Sequence, residues 1–235
     1  MDTNFINIQL TNETQDLYIA RRNIFKSIES VVPNLKGRLL DVGCGKMPYR
    51  EYILRHSGVT EYIGLDIENA LAYDNNVKPD VTWDGKDMPF PENNFDCIIG
   101  TELLEHCFNP DITIKEIYRV LKPQGIFFFT VPFIWNLHEV PYDAFRYTPF
   151  TLKKIFERTG FENISIKAHG GWHTSMAQMI GLWTNRSAMN SRKRVILSKL
   201  TKPVIKYLLK KDNKFGHEDF SEGMMVPSLF GTCQK

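Results

Sequence analysis

Cysteine is scarce in this 235-residue chain: Cys44, Cys97, Cys107 and Cys233 are the whole set, and no two form a C-x-x-C pair. That excludes the spaced thiol pairs of zinc ribbons and redox motifs, and free, buried thiols in a reducing compartment are the expectation. Long hydrophobic runs are missing too. The longest, Ile126 to Trp135, is too short to span a bilayer and contains Pro132. The first residues are polar and acidic with no apolar stretch, so no signal peptide is expected and the cytoplasm is the compartment read. Charge of one sign is not in excess either. A net charge of +2 gives no global field for nucleic acid, and no internal repeat or low-complexity segment stands out.

What the chain does have is enough apolar matter for one core. Its hydrophobic content of 43% is ordinary for a globular protein, and its length suits a single α/β unit better than two. Strand and helix signals alternate. A helix is expected to run to about Val32, opened by an Asn12/Gln15 capping box, with Leu17, Ala20, Ile24, Ile28 and Val31 on one face. Strands are expected at Arg38–Val42, Tyr62–Asp66, Val81–Trp83, Phe95–Gly100 and Ile126–Val131. Between the last two, a helix from about Asp111 to Leu121 is stopped by Lys122-Pro123-Gln124-Gly125. A helix over Pro149–Thr159, closed by Gly160, leads to a strand at Asn163–His169. This order implies a Rossmann-like doubly wound, mostly parallel sheet.

The most informative stretch is Leu39-Leu40-Asp41-Val42-Gly43-Cys44-Gly45. It reads as a buried strand running into an acid and a turn whose glycines let a ligand approach the backbone closely. A second strand ends in Asp66, about twenty residues beyond the turn, where a ribose-binding acid stands in nucleotide folds. A dinucleotide fingerprint needs a third glycine where this chain has Pro48, which argues against NAD. Further on come Trp83-Asp84-Gly85-Lys86-Asp87-Met88-Pro89-Phe90-Pro91 and Asn94-Phe95-Asp96.

An acid-x-G-x-G turn, a strand-final acid, an acid before a proline-flanked loop and an F-D strand opening, in this order over residues 36 to 131, resemble the class I S-adenosylmethionine-dependent methyltransferases. The resemblance implies S-adenosyl-L-methionine as cofactor. It implies that the Asp41–Gly45 turn, Gly43 and Gly45 in particular, lines the methionine part, with backbone groups toward its amino end. Asp66 would take the ribose diol, Asp84 and Gly85 the adenine, and Glu102 would face the methyl donor; Asp87 and Asp96 would be structural. It also implies that the closing segment Val226–Cys233 is an antiparallel last strand.

Catalytic groups are expected just after the fifth strand, at His138-Glu139-Val140-Pro141-Tyr142-Asp143-Ala144-Phe145-Arg146-Tyr147. Methyl transfer from a sulfonium asks chiefly for alignment, and a hydroxyl acceptor benefits from a base. His138 is the first candidate base and His106 its rival, with Glu139, Asp143 and Arg146 completing the set. The alternative is that His138 and Glu139 only cap the loop while Arg146 pairs with Asp143. The segment resembles an H-E-x-P-x-D-x-x-R-Y-T stretch of a bacterial methyltransferase subgroup, which implies a link to polysaccharide biosynthesis. Glu102 and His106, four apart on one helical face, could suit a metal but lack a third ligand, so no metal is expected. His169-Gly170-Gly171-Trp172-His173 reads as a turn near the sheet edge.

The chain divides as one methyltransferase domain: an N-terminal helix (1–36), a cofactor-binding core (37–170), a helical insertion (171–224) and the last strand (225–235). Residues 191 to 211 carry eight basic side chains and no acid, with apolar residues at helical spacing and a break expected at Pro203. The segment is either a lid whose apolar face, including Leu200 and Leu208, packs on the domain, or a peripheral contact with an anionic inner membrane face. The acceptor is read as a small molecule or glycan bearing a hydroxyl. The alternatives are an RNA or protein methyltransferase and a cofactor-binding glycan-assembly accessory without turnover.

Overall fold

Phe127 and Phe129 bury toward one face of a strand and Phe128 toward the other, and all three are inaccessible to solvent. Side chains alternate across a strand, so this strand needs cover on both faces. A computed structural model of the chain, describing residues 5–67, 78–212 and 214–235, shows how the cover is supplied. In chain order the elements are α1 (Gln15–Val31), β1 (Lys36–Val42), α2 (Arg50–His56), β2 (Gly58–Ile67), β3 (Val81–Trp83), β4 (Phe95–Thr101), α3 (Pro110–Val120), β5 (Leu121–Pro132), α4 (Pro149–Thr159), β6 (Glu162–His169), α5 (Trp172–Arg186), α6 (Ser191–Lys211), β7 (Phe215–His217) and β8 (Ser228–Gln234). Ile114, Ile117 and Val120 of α3 and Leu152 and Phe156 of α4 cover one face. Ile24, Ile28 and Val31 of α1 and Ile53 of α2 cover the other.

The sheet order is β3-β2-β1-β4-β5-β8-β6-β7. The first five strands are parallel, while β8 is antiparallel to both β5 and β6. The mostly parallel sheet and its antiparallel last strand are as expected. β7 pairs antiparallel with β6 at the edge; its three residues are too few for a sequence signal. The chain leaves β1 toward β2 on one side and returns to β4 on the other. That reversal opens a crevice at the carboxyl ends of β1 and β4.

Two local expectations fail. The N-terminal capping box is not formed: Thr14 occupies the cap position with no side-chain cap bond. Gln15 is instead buried, its amide donating to the Ser198 carbonyl at 2.6 Å and its oxygen accepting from Thr201 at 2.7 Å. Tertiary partners outcompete the local cap. Pro203 also does not break α6, which runs continuously from Ser191 to Lys211. Pro203 lies on the exposed side, where water can take the carbonyl it leaves unpaired.

The helical insertion packs on α1 and not over the crevice. Ile205 and Ala177 bury against Ile19, with Leu208, Leu209 and Ile180 beside them. At Gly181 an added Cβ would stand 2.2 Å from the Gln15 carbonyl oxygen, so α5 crosses α1 at backbone contact. Leu200, expected to pack, is 64% exposed. The helical spacing is present but the buried stripe is Ser198, Thr201 and Ile205, small or branched residues that let α6 settle on α5 and against Gln15 and Ile19 of α1.

Candidate active site

The turn after β1 is built by backbone geometry. Gly43 and Gly45 have φ of +70° and +48°, the left-handed region that glycine enters without steric cost. The Gly43 and Cys44 amides donate to the Leu65 carbonyl at 2.9 and 3.2 Å, and the Gly45 amide donates to Asp66 Oδ2 at 2.8 Å. The amides thus tie the turn to the end of β2. With these amides committed, the backbone groups the turn could offer the amino end of a ligand are its carbonyls.

Asp66 is half-buried at the carboxyl end of β2. Its second oxygen, Oδ1, accepts from the Ile67 amide at 2.9 Å. Each oxygen therefore carries one backbone bond and keeps acceptor capacity for another. Burial pushes the Asp66 carboxyl up, against the pull of the Gly45 and Ile67 amides. Asp41 lies beneath the turn, 2% exposed. The Tyr62 hydroxyl donates to its Oδ2, and burial raises its carboxyl to about 7 despite that bond. It supports the turn from below and is not part of the crevice wall.

Asp84 and Gly85 follow β3, one strand outward from Asp66, since Ile67 pairs with Trp83. The Asp84 carboxylate is exposed and accepts from the Lys86 and Asp87 amides at 2.8 and 3.1 Å, the pattern of a turn-closing acid. Among the described residues neither lines the crevice.

The crevice is a cleft of about 490 Å³ bounded by α1, the Gly43–Gly45 turn, Glu102 and His106, and the loop after β5. Leu17, Ala20 and Ile24 of α1, expected on one face, line this cleft together. Glu102 has φ of +51°, uncommon for a non-glycine residue and worth attention where it borders a cleft. The Thr130 hydroxyl donates to Glu102 Oε1 at 2.8 Å. Burial raises its carboxyl to about 7, partly offset by Thr130 and by Arg146 nearby. Glu102 and His106 do not share a helical face as expected, because only Leu104–His106 forms a short 3-10 turn.

The loop after β5 brings His138 beside His106, ring centroids 4.8 Å apart. His138 Nδ1 lies 3.2 Å from Asp143 Oδ2. Asp143, its side chain 2% exposed, takes both ends of the Arg146 guanidinium, at 2.6 and 2.8 Å. Burial works against the ionised Asp143, yet Arg146 and His138 hold its carboxyl at about 2. Burial lowers the His138 imidazole, with Asp143 opposing, which favours the neutral ring. Asp143 and Arg146 therefore stand behind His138, away from the cleft wall, while His138 and Glu139 line it. The Arg146–Asp143 pairing raised as an alternative is present; the His138 backbone amide donates to Asp143 Oδ2 at 3.2 Å, while the ring Nδ1 lies beside that oxygen without a hydrogen bond of good geometry.

One residue escaped sequence reading. Glu105 is fully buried, its Oε1 3.8 Å from His106 Nε2, and neither carboxylate oxygen accepts a hydrogen bond. Its signal was the run Glu102-Leu103-Leu104-Glu105-His106, in which the second acid adjoins the histidine. Trp172 and His173 are exposed and outside the cleft wall. His169 is a core residue: it stacks on Phe230 and Phe215, and its Nδ1 lies 2.6 Å from Ser228 Oγ.

The profile of a family described as a methyltransferase domain matches residues 17–166. A fatty-acid O-methyltransferase of Mycolicibacterium smegmatis is 33% identical over 99 residues, 40% of this chain and 36% of that protein. A demethylmenaquinone methyltransferase of Staphylococcus carnosus is 27% identical over 66% of this chain and 79% of its own length. The chain spans well under half the length of the first of its curated relatives. Among solved structures, an S-adenosylmethionine-dependent methyltransferase from Archaeoglobus fulgidus superposes with a TM-score of 0.56 over 94% of each chain at 19% identity.

Proposed function

From the premise that the chain belongs to the methyltransferase-domain family, of the class I S-adenosylmethionine-dependent type, we propose that it transfers the methyl group of S-adenosylmethionine to a hydroxyl of a sugar, glycan or other small polar acceptor. The supporting observation is that one cleft has the Gly43–Gly45 turn on one wall and the His106–His138–Glu139 group on another. The first wall suits the cofactor: Asp66, tied to that turn through Gly45, keeps one acceptor position on each oxygen, what a ribose diol requires. When bound, the cofactor supplies a methyl group already activated on a sulfonium. Glu102 borders the space between the two walls, and Asp84 is assigned to the adenine end.

On the second wall His138 holds its ring ready to accept the acceptor's hydroxyl proton. Asp143 orients the ring and favours the imidazolium that forms, and Arg146 fixes Asp143. Asp143 and Arg146 are positioning residues. The apolar side of the cleft, from Leu17, Ala20 and Ile24, excludes water from the reacting atoms. Incubating the protein with labelled S-adenosylmethionine and a panel of nucleotide sugars, glycans and hydroxylated lipids tests the reading; label should enter a hydroxyl-bearing acceptor. Transfer only to RNA or protein would sink it.

A second element of the proposal is peripheral contact with an anionic membrane. The face of α5 turned away from α1 exposes Trp172, Met176, Met179 and Trp183, and α6 exposes Ile196, Leu200, Val204 and Tyr207. Each set repeats every three or four residues and forms one stripe. The basic residues of 191–211 flank them, an arrangement that suits an interfacial helix pair. No helix of the described residues is long and apolar enough to cross a membrane. Two relatives carry lipid-like acceptors in their names, a fatty acid and demethylmenaquinone, which suits an acceptor held at a membrane.

A further inference from the structure

We propose that Glu105, His106 and His138 form a divalent-cation site opening into the cleft. Single ligand atoms of the three residues lie within 4.8 Å of one another. Cation bonds of about 2.1 Å put tetrahedral ligands roughly 3.4 Å apart, so rotamer shifts on the order of an ångström close the sphere. Glu105 carries the argument: it has no solvent exposure, and both its oxygens lack a hydrogen-bond donor. Buried carboxylates are normally paired or bound to metal. Arg146, the nearby guanidinium, is committed to Asp143 through both terminal nitrogens.

The His106 ring is held as metal ligands usually are, and an acid stands beside the His138 ring. His106 Nδ1 lies 3.2 Å from the Tyr142 carbonyl, and His138 Nδ1 lies 3.2 Å from the Asp143 carboxylate. His106 thereby keeps Nε2 for the site, with an outer partner fixing its orientation; the His138 ring has Asp143 beside it without a hydrogen bond from Nδ1. His106 Nε2 points between Glu105, at 3.8 Å, and Glu139 Oε2, at 3.7 Å, so Glu139 is within reach as a further ligand. Two imidazoles with carboxylates suit zinc, manganese or ferrous iron better than magnesium or calcium. His106 and His138 line the cleft, so a cation here could take an acceptor oxygen directly and ease its deprotonation. That role rests on the proposed methyl transfer and would turn His138 from a base into a ligand; the site itself does not depend on it.

The test uses the full chain, stripped with chelator and incubated with S-adenosylhomocysteine, then titrated with Zn2+ by calorimetry and with Mn2+ by electron paramagnetic resonance. One equivalent of cation should bind. Affinity should fall at least tenfold in Glu105→Gln and His106→Ala and stay unchanged in His173→Ala, with circular dichroism confirming folded variants. Electron spin-echo spectra of wild-type protein carrying Mn2+ should show imidazole nitrogen, which keeps the test decisive if a variant misfolds. Failure of the wild type to bind either cation stoichiometrically, or a bound Mn2+ without histidine nitrogen, overturns the site. Cation binding by a protein that transfers no methyl group leaves the site standing and fails only the proposed reaction.

Discussion

The two ends of the cleft are specified in different ways. The end carrying the turn is written in a few consecutive residues, since left-handed glycines and amide bonds to β2 make its shape almost regardless of what lies beyond. The opposite end is assembled from side chains: His106 against Tyr142 and Glu102 against Thr130, partners distant in sequence, with His138 in a loop held by Asp143 and Arg146. The first end tolerates neighbouring change because backbone groups cannot be substituted away. The second stands on single side chains, and losing one should abolish chemistry while leaving the cofactor end intact.

That asymmetry is most exposed at His138. His138→Ala should lower turnover about a hundredfold or more, the usual contribution of a general base, while S-adenosylmethionine affinity changes little. Steady-state kinetics beside calorimetry checks this; full activity would reduce His138 to a structural role. Asp143→Asn should act through the ring it orients, lowering turnover about tenfold and shifting the pH–rate profile, as outer-shell changes do. A variant with lower stability but an unmoved profile would show that Asp143 only braces the loop.

The scaffold beneath both ends should respond to acid as a unit. Burial lowers the His169 imidazole from 6.5 to about 3. Between those values the unfolded chain binds the proton and the folded one does not, so this group costs stability as pH falls below 6.5 and costs nothing above it. At pH 5 the loss is about 2 kcal/mol. Denaturant melts at pH 7 and pH 5 should show it, and His169→Phe should remove that part of the dependence. The smallest effects belong to the insertion. Leu200→Asp should change stability by less than about 0.5 kcal/mol, as exposed substitutions do, whereas Ile205→Asp should cost several times more. On anionic liposomes at low salt, each Lys→Glu change within 191–211 should weaken binding by about 1 kcal/mol. Equal sedimentation with neutral liposomes would remove the membrane contact from the account.

Sequence reading reached as far as local rules reach. The β1 turn, the position of Asp66 and the helix ended by Gly160 at φ of +105° follow from short-range pattern, and the antiparallel last strand came only with the family resemblance. What escaped depends on remote partners. Gln15 gave up a local cap for Ser198 and Thr201, more than 180 residues away in sequence. Pro203 sits inside a helix because its face is wet, and whether Leu200 or Ile205 faced inward depended on where α1 and α5 lay. Glu105 carried no signal of its own beyond adjoining His106, because its burial without a hydrogen-bond donor depends on remote packing. The Asp143–Arg146 pair was foreseen only as an alternative to catalysis, although geometry lets it support His138 while pairing.

Direct titration tests whether the Gly43–Gly45 end of the cleft holds a nucleotide-type cofactor through Asp66, which is tied to that wall by the Gly45 amide. Isothermal calorimetry of the wild type should show binding of S-adenosylmethionine and S-adenosylhomocysteine and none of NAD. Asp66→Ala should weaken both by roughly 2–4 kcal/mol through two lost hydrogen bonds to the ribose, with His138→Ala binding as the wild type does. NAD binding without S-adenosylmethionine binding, or an Asp66→Ala variant with unchanged affinity, would contradict the account.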